Sequence, residues 1–202
     1  MIEIYADYCI LLHILNCTPI ANRHIQFMKA ASIHEIKQEL KTAQPTELLE
    51  LCLRLAKYKK ENKELLGYLL FDAHNEPAYI VSVKEEMDDQ FAEVTTNNLY
   101  LAKKSLRKIL KLANKHIKYT ASKQAEVELL IHYCTKLKNS GITMQVGSAL
   151  YNLYNQQLKK INAALETLHE DLRHDYKKAI AYITEIPEPR FGWVLGKKTS
   201  RK

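Results

Sequence analysis

The sequence predicts an all-α protein: an antiparallel bundle of about seven helices that closes on a long C-terminal helix. Three observations predict it. Gly and Pro number only 5 each in 202 residues, below their average usage of roughly 7% and 5%. Apolar residues recur at three- and four-residue spacing from residue 33 onward, the period of an amphipathic helix. The links between such segments are short and carry helix start and stop signals, which implies antiparallel neighbours. Only Ala78–Val83 shows any period-two alternation, and it too is assigned to a helix.

The helices follow in order. Ser32 and Glu35 form an S-x-x-E capping box that opens a helix over 33–42. Pro45 suits the first turn of the next, over 45–59, because its missing N–H needs no partner there. A third spans 63–73, and Asn75-Glu76-Pro77 stops it and starts a fourth over 77–94. Asn97 is read as the cap of a fifth over 98–118, and Ser122 as the cap of a sixth over 123–138. Gly141 is placed as its left-handed terminator. The last helix is read as one piece from 149 to 184, after which Pro187 and Pro189 forbid regular helix.

Three segments are expected. Residues 1–27 contain no lysine, whereas the other 175 contain 24, and the character changes at Met28. Residues 1–27 therefore read either as translated upstream sequence, with Met28 the initiator, or as an ordinary N-terminal helix over 3–16. Residues 28–184 read as a single helical domain, and 185–202 as a basic flexible tail.

Composition narrows function. No apolar run approaches the ~20 residues of a membrane span. The stretch Tyr8–Leu15 follows Glu3 and Asp7 rather than the basic residues of a signal peptide. A cytoplasmic protein is expected. Cys9, Cys17, Cys52 and Cys134 form no C-x-x-C pair, so buried free thiols are expected rather than a redox or zinc site. A chain so poor in Gly offers no nucleotide-cradling loop. No catalytic residue, cofactor or metal site is assigned.

The charge is uneven. The chain carries +7, yet residues 1–100 hold 10 basic and 15 acidic side chains while residues 101–202 hold 20 and 8. The helix over 98–118 concentrates the excess in Lys103, Lys104, Arg107, Lys108, Lys111, Lys115 and Lys118, with no acid. At 100° per residue these occupy an arc of about 140°, opposite an apolar arc of about 100°. Such a stripe suits phosphates of nucleic acid or anionic lipid headgroups. The competing expectation is neutralisation by Glu85, Glu86, Asp88, Asp89 and Glu93 of the preceding helix.

Tyr154, Leu158, Ile161, Leu165, Leu168 and Leu172 are spaced by four and three residues in turn, a heptad seam. They are the candidate surface for self-association or a protein partner, against the alternative of packing within the chain. His169-Glu170-Asp171-Leu172-Arg173-His174 only superficially resembles H-E-x-x-H, because its histidines are five apart.

The runs Glu47–Leu66, Lys103–Leu110 and Leu168–Leu172 resemble segments of a group of uncharacterised bacterial all-helical proteins. The resemblance extends from near Met28 to about residue 183 and implies a fold but no activity. The expected function is a non-enzymatic helical interaction or assembly module using the C-terminal helix. The alternative is a sequence-nonspecific nucleic-acid-associated protein using the basic face of 98–118.

Overall fold

The computed structural model describes residues 30–185. The expectations for residues 1–27 and for the proline-bounded tail fall outside them, apart from Glu185. Every regular element among the described residues is helical. The chain divides into two compact units between Arg54 and Leu55.

In the first unit, α1 spans Ile33–Thr42. Its capping box forms as expected: Glu35 N donates to Ser32 Oγ at 3.3 Å, and Ser32 N donates to Glu35 Oε2 at 2.6 Å. Helix α2 runs without interruption over Pro45–Tyr58, across the division at Arg54 and Leu55, and neither α1 nor α2 contains a buried residue.

The second unit begins its own helices with α3 (Lys60–Gly67). A single π turn over Tyr68–Asp72 and a 3-10 turn over Ala73–Asn75 follow it. Helix α4 (Glu76–Ala92) starts with the Asn75 side chain accepting from Ala78 N and a proline in its first turn. Helix α5 covers Leu99–Thr120, and its cap is Asn98 rather than Asn97: Asn98 Oδ1 accepts from Tyr100 N and Leu101 N at 3.0 and 3.2 Å. Helix α6 (Lys123–Asn139) starts at Ser122 as expected, and Gly141 after it takes φ +72°.

Helix α6 is the centre of this unit. Ala125, Val127, Leu129, Leu130, Tyr133, Cys134 and Leu137 are all buried, so it is apolar on more than one face, the pattern of a helix packed on several sides. It packs against α4, α5 and the two later helices. The Tyr133 hydroxyl donates to Leu106 O of α5 at 3.1 Å.

The long last helix is a misreading. The chain breaks into α7 (Ala149–Glu166) and α8 (Glu170–Thr184). Thr167 and Leu168 close α7 with short-range bonds to Ala164 O and Leu165 O, and His169 turns extended at ψ 151°. Arg173 reaches back from α8, its Nε donating to Leu168 O at 2.7 Å and its Nη2 to Glu166 O at 2.9 Å. It thereby satisfies carbonyls that the end of a helix leaves without partners. Glu170 and Asp171 then occupy the first turn of α8, where the helix dipole favours acids. That acidic pair was the legible sign of a new helix start.

Candidate polyanion-binding face

The two faces of α5 separate as their spacing dictates. Ala102, Leu106, Ile109, Leu110 and Ala113 are buried in the core, while Lys104, Arg107, Lys108, Lys111 and Lys118 are exposed. Lys103 and Lys115 are half-buried at the margins. Lys103 lines an open cleft of about 320 Å³ together with Thr96, Asn97, Thr143 and Ser148. Lys115 Nζ lies 2.9 Å from Glu64 Oε2 of α3. Glu64 also accepts from the Tyr119 hydroxyl at 3.1 Å. The bond from Lys115, helped by its charge, holds the Glu64 carboxyl below the usual range.

The acids of α4 do not neutralise this stripe. Asp88 turns to α6, with Lys136 Nζ at 2.7 Å and His132 Nε2 at 2.6 Å. In the reverse sense, Lys84 of α4 pairs with Glu128 of α6 at 2.7 Å. Both carboxyls have lowered pKa values: burial opposes the charged form, and it is outweighed together by the bonds and charges of Lys136 and His132 at Asp88, and by Lys84 with bonds from Tyr176 and Gln124 at Glu128. Glu86 comes only to 3.8 Å of His116 Nε2, and Glu85 and Asp89 are exposed. Among the described residues, Lys115 is thus the one cation of the stripe within 4.0 Å of a carboxylate. These cross-helix pairs join residues 44 to 51 positions apart, and no local sequence signal announces them.

The six seam residues fare differently. Tyr154, Ile161 and Leu165 are buried, and Leu158 and Leu168 are half-buried against the same core. Leu172, half-buried, lies beyond the break, in α8. The Tyr154 hydroxyl donates to Ile183 O at 2.6 Å, and the Tyr176 hydroxyl donates to Glu128 Oε1 at 3.1 Å. The seam therefore packs largely on its own chain.

A buried aromatic group lies behind α5. Tyr68 and Tyr79 rings are 4.5 Å apart, and the Tyr79 oxygen is 2.6 Å from His116 Nδ1. His116 Nε2 is buried without a hydrogen-bond partner. Burial, reinforced by the charge of Lys115, lowers the His116 pKa to about 4. Tyr133 and Tyr154 are fully buried, and their hydroxyls bond to backbone carbonyls. Cys134 is buried, which pushes its thiol up to about 12, so it is protonated at neutral pH. Cys52 is exposed, against expectation. Among the described residues no three His, Cys, Asp or Glu side chains gather as metal ligands. His169 instead caps α8. No described helix is long and apolar enough to cross a membrane.

The chain matches no protein-family model, no curated protein and no solved structure.

Proposed function

We propose that this is a non-enzymatic helical protein that associates with nucleic acid, without reading its sequence, through the exposed face of α5. One observation carries the reading: Lys104, Arg107, Lys108, Lys111 and Lys118 are exposed with no carboxylate within 4.0 Å among the described residues. A rise of 1.5 Å per residue spreads them over about 21 Å, a row suited to successive phosphates. Lysine dominates the stripe, and Lys binds phosphate as a point charge without reading bases.

Each neutralised phosphate releases counterions, so log K should fall with log salt at a slope of about −0.9 per contact. Five contacts on duplex DNA give a slope of about −4.5. Fluorescence anisotropy with labelled duplex DNA and RNA over a salt series measures it. The triple change Lys104→Gln, Lys108→Gln, Lys111→Gln should reduce the slope by about 2.7. Wild-type protein that retains neither DNA nor RNA at low salt would remove this reading.

The assembly reading through 149–184 has weaker support, because the apolar side chains of that seam are already engaged in the core. We read the second unit itself as an antiparallel bundle with α6 at its centre. That reading rests on the two-residue link, Ala121 and Ser122, between α5 and α6 and on the many-sided burial of α6.

A further inference from the structure

Helix α2 carries an apolar row that is largely exposed among the described residues, only Leu48 being half-buried. Leu48, Leu51, Leu55 and Tyr58 follow 3-4-3 spacing, which aligns them within about 80° of the helix circumference. Leu51, Leu55 and Tyr58 are 44%, 60% and 75% exposed. One residue earlier in each case run Glu47, Glu50, Arg54 and Lys57, a second row beside the first. None of these four is in an ion pair among the described residues. The sign of the second row reverses at its midpoint: two acids, then two bases.

We propose that α2 pairs antiparallel with α2 of a second copy of this chain. Charged rows flanking an apolar seam set partner and orientation in paired helices. A parallel copy would set this row against the opposite flank, Leu49, Cys52, Ala56 and Lys59, which carries one base and no acid to complement it. An antiparallel copy brings Glu47 and Glu50 alongside Arg54 and Lys57 at both ends. A two-fold interface must be complementary to itself, and a row that changes sign at its centre has that property. A uniformly acidic or basic partner would meet half of the row with like charge. Leu49 and Leu53, 61% and 47% exposed, extend the apolar surface, and contiguous apolar patches of this kind mark interaction sites. The proposal uses no residue of α5 and goes beyond nucleic-acid association.

Sedimentation velocity of the full chain at micromolar concentration tests it, without nucleic acid present. The wild type should be a dimer. Glu47→Arg with Glu50→Arg makes the row wholly basic and should weaken dimerisation by about tenfold or more, from the summed effect of several exposed pairs. Arg54→Glu with Lys57→Glu makes it wholly acidic and should do the same. Mixing these two variants should give a heterodimer, and all four changes in one chain should restore the homodimer. All four positions are exposed, so each variant should keep its helical circular dichroism, with a modest fall in melting where Glu47→Arg loses the bond from Gln44 N and where the dimer is weakened. A monomeric full chain overturns the proposal, including one that dimerises only when residues 1–27 are removed, since those residues would then occupy the face. A dimer indifferent to both half-row variants, or variants that fail to form the heterodimer, overturns it as well.

Discussion

Ala121 ends α5 at φ 51°, in the left-handed region that costs an L-residue roughly 1–2 kcal/mol. Its N–H is held by Ile117 O at 3.1 Å, and the tight step into Ser122 requires that geometry. Ala121→Gly should therefore stabilise the protein by about 0.5–1 kcal/mol, the strain relief being partly offset by the greater freedom of an unfolded glycine. Chemical denaturation reads the change, and a loss of stability would contradict it. His116 supplies a second test at this scale. Its pKa is lowered from 6.5 to about 4 in the fold, so the unfolded chain takes up the proton first. The stability that neutral His116 supports is present above about pH 6.5. It is lost as pH falls toward 4, at up to about 1.4 kcal/mol per unit. His116→Gln should flatten the denaturation midpoint against pH in that window. The lowered carboxyls of Glu64, Asp88 and Glu128 act below it, where the protonation of acids begins to remove their pairs.

At the scale of the element, α5 and the α7–α8 break make separate predictions. Lys104/Lys108, Lys103/Arg107, Arg107/Lys111 and Lys111/Lys115 are like-charge neighbours at i,i+4 on α5. Of the α4 acids only Asp88 pairs with α6, and none lies within 4.0 Å of a cation of the stripe, so this repulsion persists in the free protein. The triple Lys→Gln change removes three of those pairs at about 0.2–0.5 kcal/mol each, and Gln is nearly as good a helix former as Lys. It should raise stability by about 1 kcal/mol while weakening nucleic-acid retention; a loss of stability would mean that the stripe has attractive partners after all. Arg173 holds two carbonyls at the end of α7. Arg173→Ala should cost about 1–2 kcal/mol, the range for losing charged hydrogen bonds to partly wet groups. Arg173→Lys should retain only part of that stability, because an ammonium cannot span both carbonyls as the planar fork does.

At the scale of the whole molecule, Leu165→Asp separates packing from assembly. Leu165 is 8% exposed in the core, so an aspartate there is a buried charge without a partner. Such lesions cost about 3–5 kcal/mol, and thermal melting should show severe destabilisation whatever the oligomeric state. A folded monomer at wild-type stability would return the seam to a role between chains.

The sequence by itself determined what depends on near neighbours. Helix content, the caps at Ser32 and Ser122, the left-handed Gly141 and the two faces of α5 all follow from interactions spanning a few residues, and they stand where the spacing placed them. The exposed fate of α2 was not legible, because Leu48, Cys52 and Leu55 have the same helical spacing whether or not anything covers them. The heptad from Tyr154 to Leu172 likewise continued across a break, since periodicity does not register the backbone bonds at Thr167 and Arg173 that turn the chain. Only the tertiary structure decided where charge goes. Asp88 chose Lys136 and Glu64 chose Lys115 across 48 and 51 residues. Those pairings depend on which helices become neighbours in space, and that choice left the cations of α5 facing outward.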